Sequence, residues 1–207
     1  MEVPIAPRLF GENKEEERRM EKKLRGKKVA ILVADGFEQV ELTEPKKALE
    51  EAGAMTEIVS PAENQVQGWN HDEKADLFSV DMPLTLARSD DYDALLLPGG
   101  VRNPDQLRML IRAVEFIDGF FATGKPVAAI CHAPWTLIDS EKVKGRTITS
   151  WPSLKSDLIN AGAHWVDRDV VVDNGLITSR KPADIPAFNK KMVEEFSRSR
   201  YSRQRAA

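Results

Sequence analysis

The chain has 207 residues, 42% of them hydrophobic and 30% charged, with a formal net charge of −3. That length fills one core and falls short of two ordinary domains, the balanced charge leaves no basic surplus for a nucleic-acid face, and no apolar run reaches the roughly 18 residues of a membrane span. A single cysteine, Cys131, excludes an internal disulfide, and Met1 to Lys28 lacks the apolar core of a secretory signal, so the expected setting is reducing and cytoplasmic.

In chain order, residues 1–26 read as a charged arm. Asn13 to Arg25 mixes both signs with almost no apolar face, which suits a solvated arm, helical or not, with an oligomer contact as the alternative. The folded unit is expected over 27–197. Val29–Val33 is a continuous apolar strand, Glu44–Ala52 a helix ended by Gly53, and Thr56–Val59 a strand closed by Pro61. Residues 64–84 read as a β-hairpin excursion. Ala94–Leu97 is a buried strand stopped by Pro98-Gly99-Gly100. Apolar residues at 107, 110, 111, 114, 117 and 121 predict one helix over Leu107–Phe121. Val127–Ile130 is a strand, Arg146–Thr149 a short strand and Ser153–Asn160 a helix. Asp173-Asn174-Gly175 predicts a hairpin between Val170–Val172 and Leu176–Thr178. Ile185, Phe188, Met192 and Phe196 mark a closing helix, and residues 198–207 a basic tail.

Continuous apolar strands alternating with helices imply an α/β fold, a mostly parallel sheet covered on both faces. The ligand site of such a sheet lies beyond the carboxyl ends of its strands. Three loops should meet there: Asp35–Glu41, Pro98–Asp105 and Cys131–Trp135.

Cys131 ends a strand and starts a helix, so the turn should expose its sulfur and the helix dipole should favour thiolate. His132 offers a ring to move a proton, and its backbone N–H is a candidate oxyanion donor. Gly99 and Gly100 leave bare backbone near a ligand, and the Gly100 N–H is the expected second donor. Of Glu38 and Glu41, one should enter the crevice and the other cap a helix start; a carboxyl against the thiol would have its pKa raised and could serve as general acid. Asp105, read from its surroundings alone, is a helix-start acid. Trp151 is either a pocket wall or a core tryptophan. The remaining histidines, His71 and His164, form no metal-ligand spacing with one another or with Cys131, and no metal or cofactor is called for.

Six stretches together resemble the DJ/PfpI superfamily, in its PfpI-type branch of intracellular stress proteins: 34–41, 97–100, 129–134, 159–163, 170–173 and 178–184. The resemblance implies a flavodoxin-like three-layer sandwich with a class I glutamine amidotransferase-like nucleophile elbow. It implies Cys131 as nucleophile in a strained backbone, Glu41 as the carboxyl bonded to the thiol, and His132 as the histidine of the triad. It places Asp105 against His132 of a neighbouring subunit, which makes a homodimer the smallest active unit and allows hexamers. Ala133 stands where many relatives have glycine, which bears on pocket width. The implied activities are glyoxalase or deglycase chemistry on small dicarbonyls and early glycation adducts, with cysteine peptidase and redox-sensing or chaperone roles as alternatives.

Overall fold

The computed structural model describes residues 23–198, and the structure of those residues is built on one seven-stranded sheet. Its strands are β1 (Lys28–Leu32), β3 (Met55–Ser60), β6 (Met82–Pro83), β7 (Ala94–Leu97), β8 (Val127–Ile130), β11 (Val170–Asp173) and β12 (Leu176–Ser179), in the spatial order β11-β12-β8-β7-β1-β3-β6. All pairings are parallel except β11 with β12, the antiparallel hairpin foreseen at Asp173-Asn174-Gly175.

Alternate residues along these strands feed two separate cores. Ala30, Leu32, Leu95, Leu97, Val127 and Ala129 face one layer; Val29, Ile31, Val33, Leu96, Ala128 and Ile130 face the other. The period-two pleat makes both faces apolar, which is why these strands read as unbroken hydrophobic runs. The first layer is closed by α2 (Arg102–Arg108), α3 (Ile111–Ala122), α4 (Thr136–Asp139) and α5 (Lys155–Asn160), the second by α1 (Gln39–Glu51) and α6 (Ile185–Arg198). The architecture is therefore the flavodoxin-like α/β sandwich.

A small second sheet, β2-β4-β5, pairs β2 (Phe37–Glu38) with the hairpin β4 (Gln65–Asn70) and β5 (Glu73–Ser79). It corresponds to the excursion expected over 64–84, whose last residues return to the main sheet as β6.

Four local expectations are corrected. The helix expected from Glu44 starts at Gln39, because Pro45 falls within it rather than at its boundary; this puts Glu41 in its first turn. The single helix expected over Leu107–Phe121 is two, since Leu110 takes an extended backbone at φ −99°, ψ 108°. The buried face of α3 is Ala113, Phe116, Ile117 and Phe120, and Ile111 is 73% exposed. Ring volume overrode the apolar spacing: Phe116 and Phe120 pack edge to face on each other, and Phe116 likewise on Tyr92. The strand near Arg146–Thr149 is β9 (Thr147–Ile148), which pairs with β10 (His164–Trp165) outside the main sheet. Finally, Leu24, assigned to the charged arm, is fully buried beside α1, and its N–H donates to Ala52 O at 2.8 Å. The rest of the arm up to residue 22, and the basic tail beyond 198, lie outside the described residues. No helix among the described residues is long and apolar enough to cross a membrane.

Candidate active site

The chain reverses its direction across the sheet between β1 and β7, since β3 lies on one side of β1 and β7 on the other. The loops after β1, β7 and β8 leave the carboxyl edge at this point, the place where open parallel sheets hold ligands. They border a crevice of about 510 Å³ lined by Glu41, Gly100, Cys131, His132 and Trp151, among others.

Cys131 follows the last residue of β8 and has φ +62°, a left-handed backbone that side-chain-bearing residues adopt at a cost of about 1–3 kcal/mol. Two bonds hold it there. Its N–H donates to Ser179 O at 3.0 Å, continuing the β12–β8 ladder by one residue, and its carbonyl accepts from Trp151 N at 2.8 Å. The sheet edge thus fixes the strained residue from both sides, and the side chain turns toward the crevice with 6% exposure.

His132 lies beside it, with Nδ1 3.3 Å from Cys131 Sγ. Its other nitrogen, Nε2, is 3.5 Å from Ser153 Oγ, and its ring stacks on Trp151 at 5.7 Å between centroids. Burial lowers the imidazole pKa to about 4, so the ring is neutral at pH 7 and can accept a proton.

Glu41 is fully buried under the sulfur. Its Oε2 accepts from Gly99 N at 2.9 Å, and its Oε1 has no conventional hydrogen-bond partner other than the neighbouring thiol. Burial dominates and raises its pKa from 4.5 to about 8, against the opposing pull of the thiol and the Gly99 N–H, so the carboxyl keeps its proton at neutral pH. The thiol is likewise pushed up: first by burial, then by the Glu41 charge, with the backbone N–H groups of Gly100 and His132 pulling the other way. These directions run against the resting thiolate expected from the turn. The helix meant to supply the dipole is a 3₁₀ turn, Ala133–Trp135, followed by the four residues of α4, too short to offset desolvation. What the geometry provides instead is a thiol with a neutral base at one side, a protonated carboxyl beneath and two N–H donors converging on the sulfur.

The glycines divide their tasks. Gly99 gives its N–H to Glu41, so it is not an oxyanion donor as expected, and a Cβ there would lie 2.5 Å from Glu41 Oε2 and 2.7 Å from Cys131 Cβ. Gly100 has φ +79° and supplies the N–H that faces the Cys131 sulfur; a Cβ there would meet Gly36 O at 2.5 Å. Asn103, not singled out from the sequence, holds this loop: Oδ1 accepts from Ala34 N at 2.7 Å, and Nδ2 donates to Pro98 O and Gly99 O at 2.8 and 3.1 Å. Its fully buried amide ties the β1 loop to the β7 loop. An Asn-Pro at a helix start reads as a turn signal, so no sequence feature separated it from an ordinary cap.

Of the other expected pocket residues, Glu38 and Trp151 line the crevice, while Ala133 is buried in the core on the opposite side of the sheet from Cys131. Its extra methyl therefore adjusts packing beneath the elbow, not the crevice wall. Asp105 is exposed on α2, beside Ser60 and Met109, away from His132 of its own chain. Crevice residues not foreseen as such include Trp69, His71 and Asp72 from the hairpin and Pro182; Arg102, within the expected Pro98–Asp105 loop but not singled out, has its guanidinium 4.3 Å over the Trp69 ring. The hairpin residues are remote along the chain from the β7 loop, so nothing local signals that they meet it. No group of three or more metal-ligating side chains exists among the described residues.

Comparison with known proteins agrees with this architecture. The chain is 46% identical over 171 residues to an uncharacterized protein of Staphylococcus epidermidis, covering 82% of this chain and 97% of that one. It is 44% identical to an uncharacterized protein of Staphylococcus aureus, covering 82% and 98%. Among solved structures, Drosophila melanogaster DJ-1beta superposes with a TM-score of 0.75 at 29% identity, over 83% of this chain and 90% of that one. A two-domain protein of Anabaena variabilis, containing DJ-1/ThiJ/PfpI-like and ferritin-like domains, superposes with a TM-score of 0.77 at 31% identity, over 87% of this chain and 52% of that one. The sequence model of the DJ-1/PfpI family matches residues 27–195, nearly the whole described structure, and the chain belongs to that family.

Proposed function

We propose that the protein is a cysteine-dependent enzyme acting on reactive dicarbonyls or early glycation adducts, without a cofactor. The observation that carries this reading is the convergence, in one small crevice, of Cys131 Sγ, neutral His132 Nδ1 at 3.3 Å, protonated Glu41, and the Gly100 and His132 N–H groups.

For an oxoaldehyde such as methylglyoxal, His132 Nδ1 takes the thiol proton as the sulfur bonds to the aldehyde carbon. The Gly100 and His132 N–H groups receive the oxygen that becomes negative, and Glu41 delivers its proton there to give a hemithioacetal. A proton then leaves the former aldehyde carbon, through Glu41 or His132, and returns at the neighbouring carbon. The oxidation level of the two carbons is exchanged, leaving a thioester on Cys131 and a hydroxyl on the neighbour. Water cleaves the thioester to lactate and the free thiol, so the net reaction is methylglyoxal plus water to lactate.

A crevice of about 510 Å³, overhung by the β4–β5 hairpin, suits a small aldehyde better than an extended peptide. In a homodimer, Asp105 of a second copy would complete the site by holding His132 at Nε2, the nitrogen that Ser153 meets within the chain. The test is conversion of methylglyoxal to lactate by the purified chain. Turnover is expected to vanish in Cys131→Ala, and equal turnover by Cys131→Ser and the unaltered protein would refute the reading.

A further inference from the structure

Arg102 lines the crevice and has no part in the chemistry just described. Among the described residues Arg102 is the only permanently charged cation lining the crevice, two residues after Gly100, whose N–H faces the sulfur. Its stem packs closely on the Gly36 backbone: a Cβ built on Gly36 would come within 2.6 Å of Arg102 Cβ and 3.0 Å of Cδ. Its guanidinium lies 4.3 Å over the Trp69 ring at the exposed mouth of the crevice. A cation over a ring face keeps N–H donors available to other partners, and among the described residues no carboxylate lies within ion-pair distance of Arg102. A guanidinium placed over an aromatic ring, with no carboxylate partner among the described residues, can meet a planar anion.

Two carboxylates in the same crevice work against an anion. Glu38 is already engaged: its Oε2 accepts His71 N–H at 3.1 Å and lies 3.8 Å from His71 Nδ1. Asp72 sits in the exposed turn between β4 and β5, where water screens it. Glu41 is protonated at neutral pH and adds no opposing charge.

We infer that Arg102, on its Trp69 platform, is the specificity-determining group of this site and selects aldehydes that carry an anionic substituent, a carboxylate or a phosphate, close to the carbonyl attacked by Cys131. This rests on the proposed reaction for the word substrate, but the anion site has a test of its own. Cys131 is alkylated with iodoacetate and with iodoacetamide at one pH, and the ratio of the two rates is compared with that of glutathione; the ratio cancels the thiolate fraction. The protein's ratio is expected on the order of fivefold above glutathione's, and to fall toward it at high salt. Arg102→Gln should remove the bias while leaving the iodoacetamide rate within about twofold, and Arg102→Lys should restore part of it. A ratio at or below glutathione's, or one unchanged in Arg102→Gln, overturns the inference. In turnover, kcat/KM for 4,5-dioxopentanoate should exceed that for neutral 2-oxopentanal, mainly through KM, and the preference should be lost in Arg102→Gln. Equal values for the two aldehydes would overturn the selection. Turnover of neither aldehyde, with the alkylation bias intact, would overturn the reaction and leave the anion site standing.

Discussion

The two walls of the crevice are made by opposite means. The elbow wall is main chain packed on the sheet: Cys131 at φ +62°, Gly99 and Gly100 without side chains, Glu41 and Asn103 fully buried. The hairpin wall is side chain standing in solvent: Trp69, His71 and Arg102, carried on the small sheet β2-β4-β5 and on the start of α2. The first wall has no room to change, because each atom is braced by the core. The second can change without touching the fold. Reaction chemistry requires fixed geometry to within fractions of an ångström, whereas recognition of a substituent needs only charge and shape at the right height. The division of labour between core and hairpin follows from that difference.

The largest effect should come from disturbing the braced wall. Gly99→Ala puts a methyl 2.5 Å from Glu41 Oε2, 2.7 Å from Cys131 Cβ and 2.7 Å from Ile130 O, and two of these are atoms that cannot swing away. Stability should fall by about 2–3 kcal/mol in denaturant titration, and kcat/KM by about a hundredfold or more. Near-normal activity in this variant would mean that the elbow wall is as yielding as the hairpin.

A smaller and pH-resolved effect is expected for Glu41→Gln. The folded chain holds the Glu41 proton up to about pH 8, whereas the ordinary value is 4.5, so between these limits the folded state binds one proton more than the unfolded. Stability from this group is therefore complete below about pH 4.5 and is lost as pH rises through about 8. Thermal or denaturant midpoints of the unaltered protein should decline across that window, and Glu41→Gln should flatten the decline by an amount on the order of a few kcal/mol. His132, whose pKa is lowered, acts in the opposite sense at the acid end, so the comparison between the two proteins isolates Glu41. An equally steep decline in Glu41→Gln would place the ionisation elsewhere.

The smallest effect belongs to the hairpin. Trp69→Leu removes the platform under Arg102 without opening a core, and should cost less than about 1 kcal/mol of stability. It should alter KM for an anionic aldehyde while kcat stays within a few-fold. A collapse of kcat instead would show that the two walls are mechanically one.

Much of this was legible in order along the chain. Val29–Val33, Ala94–Leu97 and Val127–Ile130 are unbroken apolar runs because their pleats face two cores, and Gly-Gly after Pro98 and Cys-His after Ile130 could be assigned to the strand ends. The resemblance of six short stretches gave Glu41 its place. The split between α2 and α3 was hidden because an apolar stripe through 110 and 111 looks the same whether it faces a core or solvent. Asn103 was hidden because its partners, Ala34, Pro98 and Gly99, belong partly to another loop.

The sequence by itself determined the layering, the strand ends and the identity of the sulfur, since all three are properties of local period and local turns. Only the tertiary structure decided the protonation of the site. Burial is a property of what surrounds a group, and it pushes both the Cys131 thiol and Glu41 toward their protonated forms, against the thiolate expected from the turn. It also decided that Trp69 and Arg102, 33 positions apart, meet across the crevice from Cys131, because a hairpin folded back over a strand end brings together side chains with no relation along the chain.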